Sequence, residues 1–366
     1  MSMHGPSARL ISALLQPAQT ARLDAREWSD LIATARAANL LGRLAERLHA
    51  AGVAYPAAAA RHLDGARQLS ERQHHSVVWE AHCLQRALQE LKVPVVLLKG
   101  AAYVLAGLPV SRGRLFGDID ILVPRAALGD VEVRLMVAGW VSAKTDAYDQ
   151  MYYRQWMHEI PPMMNLRRGT VIDVHHTILP LTSAHTPDAE RIIARSTALA
   201  DLPALRIPCP EDLVIHSITH LMHEGELHNG LRDLSDIDTL LRDFGATSGF
   251  WERLPVYARE HQLAQPVGFG LRLVQRFFAT SIPASVFDAL ASDRRTGLSA
   301  RLLERAYRHA IRPDGEGRSS AATAAANFAL YVRAHALRMP LPLLLRHLTR
   351  KAFMRRKAAT PAAETR

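Results

Sequence analysis

The fold is decided by residues 95–123, VVLLKGAAYVLAGLPVSRGRLFGDIDILV. Two apolar runs, VVLL and ILV, lie on either side of a segment rich in glycine, proline and arginine. Such runs are typical of buried strands, and the first ends at Lys99-Gly100, which predicts a tight turn. The second begins with Asp118 and Asp120, whose carboxylates are costly to bury beside an apolar strand unless a cation pairs with them.

The composition indicates an ordinary globular protein. Hydrophobic residues make up 48% and charged residues 22% of the 366, as in a globular chain of about two domains. No apolar run approaches the roughly 18 residues of a membrane span, and the N-terminus lacks a secretory pattern, so we expect a cytoplasmic protein. Two cysteines argue against a disulfide framework and exclude a cysteine-based metal site. The net charge of +10 favours an anionic partner, although arginines scattered along helices explain it equally well.

Helical periodicity dominates both ends of the chain, and strand patterns are confined to the middle. The middle is expected to hold three or four strands, including one at 151–160 where aromatic residues are frequent. The sequence therefore predicts an α+β fold with a small mixed sheet flanked by N- and C-terminal helical regions. The predicted units are a helical region at 1–92, an α/β core at 93–180, a helical domain at 181–345 and a basic tail at 346–366.

Three aspartates predict a metal site. Asp118 and Asp120 point to one face of their strand, because residues i and i+2 of a strand are equivalent. Two close carboxylates repel each other, and Mg²⁺ or Mn²⁺ is a natural partner because both ions suit oxygen ligands. Asp173 lies in a second β-branched strand, so the three together predict the floor of a site for phosphoryl chemistry. A solvated strand end is the simpler alternative for the first pair.

Basic residues near the aspartates predict a phosphate-binding side of this site. Lys99-Gly100 follows a strand and precedes a helix, an arrangement that exposes backbone N–H groups to an anion. Arg112 and Arg114 lie in the loop before the first aspartate, and arginine suits phosphate recognition. For each arginine, surface solubility is the alternative.

Several histidines raise the question of a zinc site. The segment HEGELH at 223–228 is not an HExxH motif, since its histidines are five residues apart and diverge on a helix, so a zinc protease is not expected. His216 and His220 share a helix face and are expected to line the seam against the α/β core or to contact substrate. His175 alternates with Asp173 along one strand face, so we expect it at the rim of the active site, and His220 is a second candidate for the cleft.

A second Asp-x-Asp pair occurs at Asp236 and Asp238, within a helical pattern. On a helix these side chains diverge, so the pair does not predict a metal floor. A capping or surface role is expected, and a position of Asp233 or Asp236 facing the cleft stays open.

The tail RHLTRKAFMRRK, at 346–357, interleaves basic and apolar residues. A basic amphipathic helix can lie on an anionic membrane, which would make the protein peripheral there, or it can contact an RNA backbone. A solvated terminus is the third interpretation.

The order LLKGAAYVL, RLFGDIDILV and VIDVHH resembles the bacterial family of uncharacterised nucleotidyltransferases, in the superfamily of DNA polymerase β. The likeness is specific over about residues 95–180 and weaker over the helical flanks. It implies a nucleotidyltransferase core in which Asp118 and Asp120 bind metal ions and Asp173 is the third carboxylate.

The same resemblance implies roles for the basic stretch. Gly100 would lie near the phosphates, with Lys99 and Arg114 as the accompanying basic positions. The serine found in the turn of the wider superfamily has no counterpart, because Ala101 follows Gly100.

These observations together predict a Mg²⁺-dependent nucleotidyltransferase with a two-metal mechanism. It would move a nucleoside monophosphate from an NTP, ATP included, to a hydroxyl of a protein, an RNA or a small molecule. A catalytically weak or inactive nucleotide-binding or scaffold protein of the same fold is the alternative. An unrelated helical regulator with chance motifs is a third interpretation.

Overall fold

The computed structural model describes residues 5–291, 298–312 and 320–340, and within them the chain forms fifteen α-helices and seven β-strands. The helices are α1 Pro6–Leu15, α2 Ala25–Ala37, α3 Leu41–Ala50, α4 Ala57–Leu88, α5 Lys99–Leu105, α6 Leu128–Val137, α7 Ala147–Trp156, α8 Ala189–Arg195, α9 Pro210–His223, α10 Gly230–Phe244, α11 Phe250–Glu260, α12 Ala264–Phe278, α13 Ala284–Leu290, α14 Leu298–Ala310 and α15 Ala321–Arg338. The strands are β1 Val95–Leu97, β2 Asp118–Leu122, β3 Trp140–Ser142, β4 Met163–Asn165, β5 Val171–His175, β6 Thr197–Ala198 and β7 Leu205–Ile207.

The strands form one mixed sheet in the order β3-β4-β5-β2-β1-β7-β6. β2 pairs in parallel with β5, and β1 pairs in parallel with β7, whereas the other neighbours are antiparallel. The predicted α+β fold with a small mixed sheet and helical flanks is confirmed. The sheet has more strands than the three or four expected, partly because β6 and β7 come from residues after 180, where the sequence predicts helices.

Helix α9 joins the C-terminal helices to the sheet. It is buried on almost every side, packs against α10, α11 and α12, and also contacts α5. Strand β1 is buried completely, so α5 starts from a fixed point at the end of that strand. The helices α5, α9 and α10 therefore meet near the C-terminal end of β1 and the N-terminal end of β2, where Lys99 and Asp118 lie.

The predicted strand at 151–160 is wrong, because most of it belongs to helix α7. The side chain of Asp146 caps this helix by accepting hydrogen bonds from backbone N–H groups of the first turn. A spacing of four places Tyr148, Tyr152 and Trp156 on one face, where Trp156 contacts both tyrosine rings edge-on. Local capping and i,i+4 pairs thus prevail over the strand preference of aromatic residues.

The basic tail at 346–357 lies outside the described residues, so its contact with a membrane or RNA stays a prediction. Among the helices of the described ranges, none combines the length and the apolar character that a bilayer crossing requires.

Candidate active site

Strands β2 and β5 carry the three aspartates. In the register of these parallel strands Asp120 lies directly opposite Asp173. Neighbouring strands are about 4.8 Å apart, so the two side chains leave the same face of the sheet next to each other. Asp118 is two residues upstream of Asp120 on this face and is exposed, whereas Ile119 and Ile172 are buried. The structure therefore brings the three aspartates to one face of two adjacent strands.

Lys99 and His175 are the hydrogen-bond partners that stabilise the carboxylate of Asp120. Its Oδ1 lies 3.4 Å from Nζ of Lys99 and accepts a hydrogen bond of 2.9 Å from Nε2 of His175. Burial alone would raise the pKa of Asp120, but Lys99 and then His175 hold it far below its usual range. Burial would likewise lower the pKa of His175, but the hydrogen bond to Asp120 and the charge of Glu159 raise it. Asp120 is therefore ionised at physiological pH.

Asp173 is poorly compensated by comparison. Its Oδ1 is buried and has no hydrogen-bond partner. Burial, followed by the charges of Glu159 and Asp120, raises the pKa of Asp173 to about 7. A buried carboxylate oxygen without a partner is costly, and a nearby cation removes that cost. Because carboxylate oxygens are the ligands that Mg²⁺ and Mn²⁺ prefer, the donor set of the three aspartates fits such an ion.

His158 and Glu159 extend this cluster, and the sequence interpretation missed both. Glu159 pairs with His175 across an antiparallel bridge, and its Oε2 lies 3.3 Å from Nδ1 of His175. The rings of His158 and His175 stack with centroids 5.1 Å apart. The trace in the sequence is a His-Glu pair that a single isoleucine, Ile160, separates from two prolines. Its role depends on the pairing of Glu159 with His175, which the sequence pattern does not predict.

A cleft of about 310 Å³ opens beside Asp118 and Asp120. Its walls are formed by α5, the loop before β2, α9 and α10. The site residues predicted from the sequence that line it are Lys99, Gly100, Arg114, Asp118, Asp120 and His220. Arg112 is exposed and does not line the cleft. Asp173 and His175 do not line it either, and His175 is only 3% exposed, which is deeper than the rim position expected from the sequence.

The Lys99-Gly100 step differs in detail from the predicted turn. Helix α5 begins directly at Lys99, and the left-handed backbone angle falls on this lysine, with φ of 42°, rather than on the glycine. Gly100 is required for another reason, because a Cβ there would lie 2.4 Å from Cδ1 of Phe116. The absence of a side chain at Gly100 thus lets the loop before β2 lie against the start of α5.

Arg114 lines the cleft but is bound to the helical wall. Its Nε donates a hydrogen bond of 2.8 Å to Oδ2 of Asp236, and its guanidinium lies 4.9 Å from the ring centre of Phe116. A second buried arginine, Arg43, approaches Oδ1 of the same aspartate at 2.7 Å. Burial alone would lower the pKa of Arg114, but Asp236 raises it. Any phosphate contact of Arg114 therefore competes with this internal ion pair.

The second Asp-x-Asp pair is internal. Asp236 and Asp238 are buried, so the expected capping or surface role is wrong for both. Asp238 accepts hydrogen bonds from Arg242 and Thr280. Asp233 lines the cleft with Asp236, which agrees with the interpretation left open by the sequence.

The histidines of α9 face the site as neutral groups. Burial, followed by the charge of Lys99, lowers the pKa of His216 to about 3. The charge of Lys99, followed by burial, holds the pKa of His220 well below its usual value. Helix α9 ends at His223, so residues 223–228 are not on one helix and form no HExxH arrangement. These histidines are therefore uncharged neighbours of Lys99.

A comparison with protein families adds to this geometry. The model of the family described as "Uncharacterised nucleotidyltransferase" matches residues 24–279, which include the sheet and much of both helical flanks. The chain belongs to this family. Membership supports a general nucleotidyltransferase role, and the family predicted from the sequence motifs is confirmed.

A comparison with solved structures finds an antigenic nucleotidyltransferase-like protein from Paracoccidioides brasiliensis. It is 16% identical, covers 60% of this chain and 99% of its own, and superposes with a TM-score of 0.31. A score this low supports no conclusion about this chain. A search of curated proteins finds no match.

Proposed function

We propose that this nucleotidyltransferase-family protein transfers a nucleoside monophosphate from an NTP to a hydroxyl acceptor in a Mg²⁺-dependent reaction. We also propose that it belongs to the DNA polymerase β superfamily. The observation that supports this best is the pair Asp120 and Asp173, opposite each other on parallel strands, with a buried unpartnered oxygen on Asp173. Together with Asp118, they form a carboxylate face beside a polar cleft.

In the proposed reaction, the acceptor oxygen attacks the α-phosphorus, a new P–O bond forms, and the bond to pyrophosphate breaks. Asp118, Asp120 and Asp173 would hold Mg²⁺ or Mn²⁺, which when bound supplies charge stabilisation of the phosphates and of the attacking oxygen. Lys99 would bind a phosphate oxygen next to Asp120, and Asp173 would accept the proton that the acceptor hydroxyl loses as the new P–O bond forms. Catalysis in such a site is mainly positioning and electrostatic stabilisation.

On the phosphate side we include Lys99, Gly100 and Arg114, and leave out Arg112 because it does not line the cleft. Lys99 is the strongest candidate, since its side chain lines the cleft and its ammonium lies 3.4 Å from Oδ1 of Asp120. Binding of Arg114 to a phosphate would require it to share its guanidinium with Asp236. The acceptor class, the preferred base and the cytoplasmic location stay predictions.

The test is transfer of label from α-labelled NTPs in the presence of Mg²⁺ and fractionated lysate. We expect wild-type protein to label one acceptor class, and Asp118→Ala, Asp120→Ala and Asp173→Asn to lose this labelling. Asp130→Ala, which removes an exposed carboxylate on α6, is the matched control and should behave as wild type. Labelling that persists in the three site variants would contradict the proposal.

The alternative is a protein that binds nucleotides without transferring them. Two observations favour it, namely Ala101 in place of a turn serine and the internal pairing of Arg114 with Asp236. It predicts that ATP with Mg²⁺ raises the melting temperature while no acceptor is labelled.

A further inference from the structure

We propose that His158, Glu159 and His175 bind a divalent transition-metal ion, best matched by Zn²⁺, at a site separate from the three aspartates. One ligand atom of each residue lies within 4.8 Å of the others, and among the described residues they form a group able to hold a metal ion. Two imidazole nitrogens and a carboxylate oxygen form a donor set typical of zinc. The nitrogen ligands distinguish this site from the all-oxygen aspartate face, which suits Mg²⁺.

The hydrogen bond between His175 and Asp120 prepares the free nitrogen. Asp120 is ionised and can only accept, so Nε2 of His175 carries the proton at 2.9 Å. In the neutral ring this leaves a lone pair on Nδ1, which is buried without a hydrogen bond. Metal-binding histidines in proteins usually donate their other N–H to a carboxylate in this way.

The same nitrogen lies close to another acceptor. Oε2 of Glu159 lies 3.3 Å from Nδ1 of His175, and no hydrogen bond connects them. Two acceptors at this distance require a positive charge between them, either a proton or a metal ion. The distance also matches a metal site, because ligands at about 2.1 Å in a tetrahedron are about 3.4 Å apart.

His158 provides the third ligand. Its ring stacks on His175, and its Nδ1 is buried without a hydrogen-bond partner. His175 is buried, and His158 and Glu159 are half-buried, so the site is not an open surface cluster.

An ion at this position would fix two parts of the fold to each other. His158 and Glu159 follow helix α7, while His175 ends strand β5 next to the aspartate face. The hydrogen bond from His175 would transmit the position of the ion to Asp120. We therefore infer a structural ion that orients one of the proposed Mg²⁺ ligands, independently of whether nucleotide transfer occurs.

The test is direct metal binding to full-length protein without a polyhistidine tag, after treatment with a chelator. We expect one equivalent of Zn²⁺ by equilibrium dialysis with elemental analysis, bound in the presence of excess Mg²⁺. Bound Co²⁺ should give the visible absorption of a tetrahedral nitrogen and oxygen site. Affinity for Zn²⁺ should fall by about 10-fold or more in His158→Ala and in Glu159→Gln.

Two control variants separate this site from others. His223→Gln removes a buried histidine elsewhere, and Asp118→Asn alters the aspartate face; both should keep the bound Zn²⁺. Glu159→Gln conserves shape, so it remains informative if His158→Ala does not fold. Absence of stoichiometric Zn²⁺, displacement by Mg²⁺, or undiminished binding in Glu159→Gln would overturn the proposal and leave a proton between His175 and Glu159.

Discussion

Arg114 and Asp236 are joined by a hydrogen bond of 2.8 Å although 122 residues separate them in the chain. This contact connects the loop before β2 to helix α10, and it lies at the wall of the cleft. Arg43 of α3 approaches the same carboxylate at 2.7 Å, so one buried aspartate compensates two buried arginines. One acidic side chain of α10 therefore joins α3 and the loop before β2 at the cleft wall.

Replacing Asp236 with alanine should destabilise the protein by about 3–5 kcal/mol, because two largely buried guanidinium groups lose the carboxylate that they share. Chemical denaturation of the variant and wild type measures this difference. The matched control is Asp30→Ala, which removes an exposed carboxylate 3.7 Å from Arg9 and should cost less than about 1 kcal/mol. Equal costs for the two variants would show that the buried network contributes little.

A close approach of two glycines supports the same loop. Gly113 has φ of 68°, and a Cβ there would lie 2.4 Å from the carbonyl oxygen of Gly42 in α3. Gly107 has φ of 65° but nothing within 4 Å of such a Cβ. Both Gly→Ala changes incur the left-handed backbone cost of about 1–2 kcal/mol, and Gly113→Ala should cost about 1–3 kcal/mol more because of the clash.

Thermal unfolding of Gly113→Ala and Gly107→Ala in parallel provides the comparison. Because the backbone angles match, the difference between the two variants isolates the contact between α3 and the loop. Indistinguishable melting temperatures would mean that the loop moves away from α3 at little cost.

Replacing Asp173 with asparagine should stabilise the metal-free protein at pH 8. The folded-state pKa of Asp173 is about 7, above the unfolded value of about 3.9, so ionisation in the folded state costs stability as pH rises. Below about pH 4 ionisation of Asp173 does not destabilise the wild type, and above pH 7 the destabilisation reaches its full value. With a discount for partial exposure, we expect the gain from Asp173→Asn to be roughly 1–2 kcal/mol larger at pH 8 than at pH 5.

Urea unfolding at the two pH values measures this gain, with Asp130→Asn on the surface of α6 as the control. An unchanged difference between pH 5 and pH 8 would contradict the electrostatic cost. Addition of Mg²⁺ should reverse the order of stability at pH 8, since only the wild type retains all three carboxylates.

His223 should make the protein sensitive to mild acid. Burial lowers its pKa to about 4 from about 6.5 in the unfolded chain, so the unfolded state binds more protons below pH 6.5. Stability is therefore lost as pH falls, by about 2 kcal/mol between pH 7 and pH 5 for this residue alone. In His223→Gln this contribution should disappear, whereas the exposed His228→Gln should retain it.

Denaturant titrations at pH 7 and pH 5 provide the measurement. The quantity to compare is the change of unfolding free energy between the two pH values, because His223→Gln also alters packing at both. A change equal to that of wild type would mean that His223 is protonated without cost in the folded state.

Local sequence patterns predict the aspartate face but not its surroundings. Alternation places Asp118 and Asp120 on one face, and β-branched neighbours identify the strand of Asp173; the structure has both features. Glu159 lies opposite His175 only because the chain returns antiparallel after α7, and a register across elements leaves no periodic trace. The prediction of a strand at 151–160 is wrong because the cap provided by Asp146 favours a helix there.

The partner of Arg114 shows the same limit. A helical sequence pattern does not show whether an aspartate is exposed or buried. Asp236 is buried because α3 and the loop before β2 pack on it. Pairing of β1 with β7 likewise joins residues more than a hundred positions apart. Sequence reasoning therefore identifies the elements that carry the chemistry, whereas the fold decides which charges are already paired.

Strand β2 is the fourth of the seven strands, with three on each side. Backbone amides in the centre of a sheet open to solvent only when most of the structure unfolds. The backbone that carries the aspartates is thus among the parts of the protein most resistant to local unfolding. We expect it to change little when different ligands bind. Whatever flexibility is needed to admit and release a bound molecule must come from the opposite wall, where α9 and α10 present side chains on separate helices.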